Sequence, residues 1–372
     1  MKKIKLAIVG TRGIPAKYGG FETFAEEISK RLVKLEYEVA VYCDKDSFEF
    51  QEFLGVKLKF INTTKNINPI YYCYLSLRDA LKYNDIVYVT GVAGAISYWI
   101  NIFYRKIIVT NTDGVEYYRN KWNLSEKLFL RFSEMISVLF SSSIIADSTG
   151  IKKHLVRNYH FEKKIKVIEY GANTITKFYE INDLNNLEPN SYYLIVARIE
   201  PENNIDKIIA GYLLCNTNKK LVIVGNYLPL SDYISKLFNL CQHNKKIIFL
   251  GGIYDKEKLI AIRQNCFAYI HGHSVGGTNP SLLEAMASMN IIIAHDNIFN
   301  REVTCSKMFY FHTHQELKNI LQNVEQLPHT KLDELKQFAT KRIKEYYNWE
   351  LITKRYDDFF RELINTSKEK LG

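Results

Sequence analysis

Cysteine is scarce in this 372-residue sequence, and the few cysteines form no recognisable pattern. They are scattered, with no CxxC pair and no histidine pair at the spacing of a metal site. Scattered single thiols are typical of a reduced, cytoplasmic protein. The sequence therefore predicts neither a disulfide framework nor a zinc site. The six cysteines are Cys43, Cys73, Cys215, Cys241, Cys266 and Cys305.

Long uncharged hydrophobic runs are also nearly absent. The exception is segment 86–104, which Gly91 and Gly94 interrupt. The segment divides into a buried strand, a turn and an apolar helix, whereas a membrane span needs about 20 consecutive apolar residues. We therefore expect no transmembrane helix. The aromatic helix that ends at Arg105 and Lys106 would suit either a membrane interface or a core.

The two common phosphate-binding fingerprints are missing as well. The loop GTRGIPAKYGG follows the first predicted strand, Lys5–Val9, and matches neither GxGxxG nor GxxxxGK[ST]. The sequence therefore favours neither a nicotinamide dehydrogenase nor a P-loop protein. Gly19 and Gly20 stand at a predicted helix start, where the backbone could approach a phosphate. The alternative is a loop that serves packing only.

Positive charge is abundant. Fifty lysines and arginines outnumber 40 acidic residues, which gives a formal net charge of +10. Such a surplus favours anionic substrates, polyanions or an acidic membrane surface as partners. Because the basic residues are spread along the chain without a folded motif to concentrate them, we expect no nucleic-acid binding.

The order of apolar strands and helical segments predicts two α/β domains. Strands alternate with helices through residue 175, the pattern is lost over 176–190, and it resumes at 191. This alternation is typical of a parallel sheet covered by helices on both faces. We predict domains at 1–175 and 191–345, a linker at 176–190, and a C-terminal helical segment at 346–372.

The segment HGHSVGGTNPSLLEAMASM, residues 271–289, is the most informative stretch of the chain. Asn279 is a good helix N-cap, and Pro280 suits the first helical position. The glycine-rich turn before them can present N–H groups and the positive end of the helix to a phosphate. Glu284, one turn inside, could accept hydrogen bonds from a ribose. The alternative is a glycine turn that merely precedes a packing helix.

A second candidate site lies in NTDGVEYYRNKW, residues 111–122, directly after a predicted strand. Open α/β sheets bind ligands at the carboxyl ends of their strands. Asp113 and Glu116 are therefore the best acid–base candidates of the first half. Asp113 with Gly114 could also form only a turn.

Two aspartates, Asp44 and Asp46, follow the second predicted strand. A DxD pair at a strand end can hold a divalent metal on a nucleotide. Asp46 also suits the N-cap of the helical-looking segment SFEFQEF, and we favour this interpretation.

The segment VARIEPENN opens the second domain. Arg198 leaves the strand Tyr192–Ala197 at its carboxyl end, where a guanidinium can hold a diphosphate bidentately. It is expected on the same sheet edge as residues 271–279. The alternative is a solvated surface arginine.

Together, TRGIPAKYGGFETF, NTDGVEYYRNKW, ARIEPENN and HGHSVGGTNPSLLEAMA make the chain resemble glycosyltransferase family 4, and within it the bacterial rhamnosyltransferases of capsule and surface polysaccharide synthesis. The resemblance implies the GT-B fold, with two Rossmann-like domains facing each other across a cleft and a C-terminal helix that returns to the first domain. It implies retaining, metal-independent transfer of rhamnose from dTDP-rhamnose to a lipid-linked or nascent glycan. The expected location is the cytoplasm, with peripheral contact at the inner face of the cell membrane.

The resemblance also assigns residues. Arg198 matches an arginine that holds the diphosphate, whereas Asn203 replaces the usual lysine. Glu284 matches the second of two glutamates, whereas Gly276 replaces the first. Asp113 stands near the position of a catalytic histidine in many relatives. We predict catalytic roles for Asp113, Arg198 and His273, donor binding by Gly19, Gly20, Arg198, Asn203, Gly276, Gly277, Thr278, Asn279 and Glu284, acceptor binding by Tyr18, Asn111 and Glu116, and no metal or cofactor.

Two alternatives stay open. The donor could be a UDP- or GDP-sugar, because the sequence does not identify the base or the sugar. The protein could also be a catalytically silent nucleotide-sugar-binding homologue, because the lysine and the first glutamate are absent.

Overall fold

The computed structural model describes residues 3–16, 19–45, 50–65, 68–112, 114, 116–118, 122–181, 187–241 and 244–369, and of Glu116 only the backbone. The chain divides into two compact units. The first comprises Met1–Gly171 and Trp349–Gly372, and the second comprises Ala172–Asn348. Both are α/β units with a largely parallel sheet, as the alternation of strands and helices predicts.

The first unit contains an eight-stranded sheet in the order β3-β4-β2-β1-β5-β6-β7-β8. Every described pairing is parallel except that of β3 with β4. The strands are β1 (Lys5–Val9), β2 (Glu38–Cys43), β3 (Glu52–Phe53), β4 (Val56–Phe60), β5 (Ile86–Thr90), β6 (Ile107–Asn111), β7 (Ser143–Ala146) and β8 (Ile165–Val167).

Five helices connect these strands, and a sixth comes from the end of the chain. They are α1 (Gly20–Lys34), α2 (Pro69–Tyr83), α3 (Asn101–Tyr104), α4 (Leu124–Phe140), α5 (Thr149–Tyr159) and α13 (Trp349–Glu369). The predicted helix in segment 47–53 is wrong at its described end, because Glu52–Phe53 pairs with β4 as a short antiparallel strand. Asp46 lies outside the described residues.

The second unit contains a six-stranded parallel sheet in the order β11-β10-β9-β12-β13-β14. Its strands are β9 (Tyr192–Val196), β10 (Lys220–Val224), β11 (Ile247–Gly251), β12 (Ala268–His271), β13 (Ile292–His295) and β14 (Phe309–Phe311). Its helices are α6 (Ile205–Leu213), α7 (Asp232–Cys241), α8 (Lys256–Gln264), α9 (Pro280–Ala287), α10 (Ile298–Val303), α11 (His314–Val324) and α12 (His329–Arg342), followed by a π-helical turn at Ile343–Tyr347.

The central strands of the second sheet are apolar and buried along their length. Leu194 of β9 and Ile270 of β12 are fully buried, as expected of a parallel sheet covered on both faces. The chain runs from β9 to β10 and β11 on one side and then returns to β12 on the other. The pair β9 and β12 is therefore the topological switch point, the position at which open α/β sheets bind their ligands.

The C-terminal helix α13 belongs to the first unit. Trp349 and Tyr356 are almost fully buried there, and both rings lie within about 6 Å of Phe24 on α1. Tyr37 Oη donates a hydrogen bond of 2.7 Å to Asp357 Oδ1. Burial of these aromatic rings and the hydrogen bond between Tyr37 and Asp357 explain why the apolar stripe of α13 packs against the first unit.

The segment 86–104 folds as three short pieces. They are strand β5, a 3-10 helix at Ala95–Ile100 and the single turn of α3. Among the helices of the described residues, none is long and apolar enough to cross a membrane.

The predicted linker 176–190 lies in the span of the second unit. Its described part is tied to α8 and the residue that follows it: the Tyr179 N–H donates to Gln264 Oε1, and Asn265 Nδ2 donates to the Tyr179 carbonyl oxygen, both at 2.9 Å.

Candidate functional site

The candidate site lies in the second unit, at the carboxyl ends of β9 and β12. The loop after β9 carries Arg198 and Asn203, and the loop after β12 carries His273 and Gly276. Gly272 lets the two loops meet, because a Cβ at this position would lie only 1.9 Å from the Asn203 carbonyl oxygen. Any larger residue would therefore force the loops apart.

Asn203 bridges the two loops with its side-chain amide. Its Nδ2 donates to the Arg198 carbonyl oxygen at 2.7 Å, and its Oδ1 lies 2.9 Å from His273 Nδ1. Because Oδ1 can only accept, His273 must donate from Nδ1. The other ring nitrogen, Nε2, is then the one that can exchange a proton or contact a ligand.

The backbone around His273 is also fixed. Its carbonyl oxygen accepts hydrogen bonds from Asn297 Nδ2 at 2.9 Å and from Asn300 Nδ2 at 3.0 Å. Both the Oγ and the N–H of Ser274 donate to the Glu202 carbonyl oxygen at 2.9 Å. The imidazole is therefore held on a rigid loop, as a group that acts on a ligand requires.

Arg198 is half exposed in the loop after β9. Its side chain is 46% accessible, and Nη1 lies 3.3 Å from Glu200 Oε1. An ion pair in such an exposed position contributes little energy. The guanidinium is therefore accessible to an anionic ligand that could compete with Glu200.

The turn 276–279 has the conformation that the glycines predict. Gly276 has a φ of +106°, in the region that favours glycine, and a Cβ there would lie 3.5 Å from His273 Nε2. Within the described part of the chain, the N–H groups of Gly276 and Gly277 donate no hydrogen bond to another backbone group.

The predicted start of α9 is confirmed. Asn279 is the N-cap and accepts a hydrogen bond of 2.9 Å from the Ser281 N–H, and Pro280 occupies the first helical position. Ser281 Oγ donates to the Val196 carbonyl oxygen at 2.7 Å, which ties the helix start to the end of β9. Thr278, just before the cap, is buried.

Glu284 forms an ion pair that its sequence context does not reveal. Arg263 of α8, which is almost fully buried, donates from Nη2 to Glu284 Oε2 at 2.5 Å. The Glu284 side chain is 38% exposed, so the carboxylate is held on one side and accessible on the other. This arrangement preorganises it to accept a hydrogen bond from a ligand hydroxyl.

Two buried histidines end the neighbouring strands β12 and β13. Burial, with a smaller contribution from His295, lowers the pKa of His271 to about 3. Burial, followed by the charges of Lys207 and His312, lowers the pKa of His295 to about 4. Both rings are therefore neutral near pH 7. These two neutral rings lie at the ends of β12 and β13, and the loop that carries His273 follows β12 directly.

Of the site residues that the sequence predicts after β6 and before α1, only some lie within the described residues. Asp113 and Tyr18 lie outside the described residues, as does the Glu116 side chain. Asn111, at the end of β6, is buried and donates from Nδ2 to Tyr88 Oη at 3.0 Å. Its side chain is thus engaged in the packing beneath α13.

Gly19 and Gly20 begin α1 as predicted, with Gly19 at the N-cap. Nearby carboxylates already take the amides of the preceding loop: Glu22 accepts from the Arg12 N–H at 3.0 Å, and Glu26 accepts from the Ala16 N–H at 2.7 Å. A negative charge in the first turn of α1 disfavours a phosphate there. The second unit therefore offers the better anion site.

In the described ranges, no group of three or more histidine, cysteine, aspartate or glutamate side chains is arranged to hold a metal ion.

Two family matches cover most of the chain. Residues 3–173 match the family described as "Domain of unknown function (DUF1972)", and residues 177–342 match "Glycosyl transferases group 1". No curated protein matches the chain in sequence.

Solved structures share the whole fold at low identity. A sucrose-phosphate synthase from Thermosynechococcus elongatus aligns with a TM-score of 0.79 and 15% identity, over 98% of this chain and 100% of its own. HepE of Anabaena, solved with UDP and glucose, aligns with a TM-score of 0.77 and 16% identity, over 97% and 100%. A glycosyltransferase from Rickettsia africae aligns with a TM-score of 0.72 and 18% identity, over 98% and 99%. The chain therefore has the GT-B fold, in which a domain that matches DUF1972 precedes a domain that matches glycosyl transferases group 1.

Proposed function

We propose that the protein transfers a sugar from a nucleotide sugar bound at the carboxyl ends of β9 and β12. The favoured donor is dTDP-rhamnose, and the favoured acceptor is a lipid-linked or nascent surface glycan at the inner face of the cell membrane. Transfer is proposed to retain the anomeric configuration and to need no metal ion. These finer assignments rest on the sequence motifs.

One observation carries this proposal: Asn203 holds the Arg198 loop and the His273 ring together at the switch point of the sheet. Open α/β sheets bind nucleotides at such points. The Arg198 guanidinium and the backbone N–H groups of Gly276 and Gly277 can donate to a diphosphate there, and His273 Nε2 can accept from a sugar hydroxyl.

The charge of these groups suits the chemistry. Breaking the bond between a sugar and a nucleoside diphosphate puts additional negative charge on the leaving group. Donors that are already oriented stabilise this charge more in the transition state than in the substrate, and this difference accelerates the reaction. Arg198 and the 276–277 amides are proposed to donate to the diphosphate, and His273 Nε2 is proposed to accept a hydrogen bond from a hydroxyl of the sugar. Asp113 is proposed to act beside the reacting sugar.

Glu284 is proposed to bind the ribose of the nucleotide. Its carboxylate is oriented by Arg263 and can accept from a sugar hydroxyl. Gly19, Gly20 and Thr278 stay proposed donor contacts, and Tyr18, Asn111 and Glu116 stay proposed acceptor contacts.

A UDP-sugar is the second candidate donor. It is favoured by HepE, a structure of similar fold that was solved with UDP and with UDP-glucose. The base is left to experiment, because the donors described above address the diphosphate and the ribose.

Nucleotide release tests the proposal directly. The purified chain is incubated with dTDP-rhamnose, UDP-glucose or a GDP-sugar, with and without a lipid-linked glycan acceptor, and each reaction is run with and without chelator. We expect acceptor-dependent release of dTDP that chelator does not abolish. Binding without release would identify a silent homologue, and release of UDP alone would reassign the donor. Loss of release with chelator would contradict metal independence.

A further inference from the structure

Helix α4 of the first unit carries apolar residues on both faces, since it buries Leu130 and Val138 and also exposes an apolar stripe. Its inward face also carries Ser133, Glu134 and Ser137, all buried. Its outward face carries large apolar side chains. These are Leu124, Leu128, Phe132, Leu139 and Phe140, with exposures between 44% and 75%.

Contacts of Glu134 with α5 fix the orientation of the helix. Glu134 accepts a hydrogen bond of 2.8 Å from Tyr159 Oη and lies 3.4 Å from His154 Nε2. Ser137 Oγ donates to the Glu134 carbonyl oxygen at 2.7 Å. Turning the apolar stripe inward would therefore break a formed polar network, and the stripe stays outside.

The neighbouring 3-10 helix and α3 add to the same kind of surface. The 3-10 helix packs against α4. Trp99 is 57% exposed, and Ile102 and Phe103 are exposed by about three quarters. We call the exposed apolar residues of these three elements the α4 surface. They are Ile96, Trp99, Ile102, Phe103, Leu124, Leu128, Phe132, Leu139 and Phe140. Exposed apolar areas of this extent mark interaction sites.

Basic residues outnumber exposed carboxylates on α4 and directly after α3. Arg105 and Lys106 directly follow α3, and Lys127 and Arg131 lie on α4. The carboxylates of the same elements are Glu134, which is buried, and Glu126, which accepts a hydrogen bond from the Asn123 N–H at the N-cap. An apolar surface with a basic surplus is complementary to anionic lipid headgroups.

We propose that the α4 surface docks on the anionic face of a lipid bilayer, with α4 lying along the interface. The helix has 17 residues and is therefore about 25 Å long, which is enough for a stable interfacial contact without a membrane span. A second copy of the chain is a poorer occupant, because a two-fold contact would oppose the basic residues of one copy to those of the other. This inference deepens the proposed function, whose acceptor is membrane-linked, but it depends on none of its chemical steps.

Vesicle sedimentation with the full chain tests the docking. The wild type is expected to bind phosphatidylcholine vesicles that contain phosphatidylglycerol, and to bind vesicles of phosphatidylcholine alone several-fold more weakly. The double variant Ile102→Ser/Phe103→Ser should lower the partition coefficient about tenfold or more, because two large apolar side chains no longer enter the interface. Both side chains project outward, so this change should not disturb folding.

A matched control uses two exposed apolar residues of the second unit. Phe178 is 62% and Leu214 is 50% exposed, and Phe178→Ser/Leu214→Ser should bind vesicles like the wild type. Equal binding by the Ile102/Phe103 variant and the wild type would overturn the proposal. So would a wild-type dimer that binds no vesicles and becomes monomeric in that variant. A chain that binds vesicles but no nucleotide sugar would keep the docking and overturn the proposed function alone.

Discussion

Asn203 Oδ1 lies 2.9 Å from His273 Nδ1, although the two residues are 70 positions apart in the chain. The same side chain donates from Nδ2 to the Arg198 carbonyl oxygen. One buried amide therefore sets both the tautomer of the imidazole and the path of the arginine loop. Both features of the candidate site depend on this single side chain.

Replacing Asn203 with aspartate should change the pH dependence of transfer. The carboxylate can still accept from His273 Nδ1, but it favours the charged imidazolium, so the acid limb of the kcat profile should move to higher pH by about one unit. Asn203→Ala should lower kcat about tenfold without that movement. An aspartate variant with the wild-type profile would show that His273 does not act in the reaction.

Removing the Arg198 guanidinium should slow transfer. A charged hydrogen bond contributes about 1.5–3 kcal/mol, so Arg198→Ala should lower kcat/KM by roughly ten- to a hundred-fold. Arg198→Lys should recover part of this loss, because the charge stays but the bidentate geometry does not. Lys236→Ala is the control, since Lys236 is also an exposed cation paired with a carboxylate, at 2.9 Å from Asp206. Unchanged turnover in Arg198→Ala would remove Arg198 from the site.

Variants of the Arg263–Glu284 ion pair should change both the free energy of unfolding and the affinity for the nucleotide sugar, and the two effects can be measured separately. Glu284→Gln leaves the buried guanidinium without its carboxylate, which should cost about 1–3 kcal/mol in the free energy of unfolding. The same variant should raise the Kd of the nucleotide sugar. Arg263→Gln keeps the carboxylate but releases its orientation, so it should weaken binding less than Glu284→Gln. Urea unfolding and titration calorimetry measure the two quantities; equal affinity in all three proteins would contradict the ribose role.

The local features of this site could be predicted from the sequence. The strand expected at Tyr192–Ala197 is observed as Tyr192–Val196, and the cap at Asn279 is confirmed, because apolar runs and capping chemistry act over a few residues. The contact of Asn203 with His273 and that of Arg263 with Glu284 could not be predicted. Each joins side chains from different loops or helices, and no spacing in the sequence encodes which side chains the sheet brings together.

The orientation of an amphipathic helix is a second limit. The period of α4 identifies an apolar face, and the usual expectation is that this face packs on the core. The observed helix buries Glu134 against Tyr159 together with Leu130 and Val138, and it leaves a second apolar stripe exposed. Only the partners on neighbouring elements decide which face is covered.

The buried histidine His271 should make the second unit less stable in mild acid. Its pKa is lowered to about 3 when folded, from 6.5 when unfolded, so between these values the unfolded chain binds the extra proton. The free energy of unfolding must then fall as the pH falls below about 6.5. Between about pH 7 and pH 5.5 this histidine should contribute a loss of about 1 kcal/mol. His271→Asn should reduce the pH dependence by that amount in calorimetry, and an unaltered slope would contradict the assignment.

Gly171 offers a test of how α13 is held on the first unit. A Cβ at this position would lie 2.5 Å from Trp349 Cδ2, closer than any van der Waals contact permits. Gly171→Ala should therefore push the indole out of its packing against Phe24 and Tyr170, and overpacking of this kind costs about 1–3 kcal/mol.

The companion variant Trp349→Phe separates this steric overlap from a general effect on folding. The smaller ring leaves room for the added methyl group, so in the double variant Gly171→Ala should cost less than it does alone. A double-mutant cycle on the free energy of unfolding should give a favourable coupling of about 1 kcal/mol or more. Additive losses would mean that the alanine acts through the backbone and that the close approach of Trp349 to Gly171 does not fix the helix.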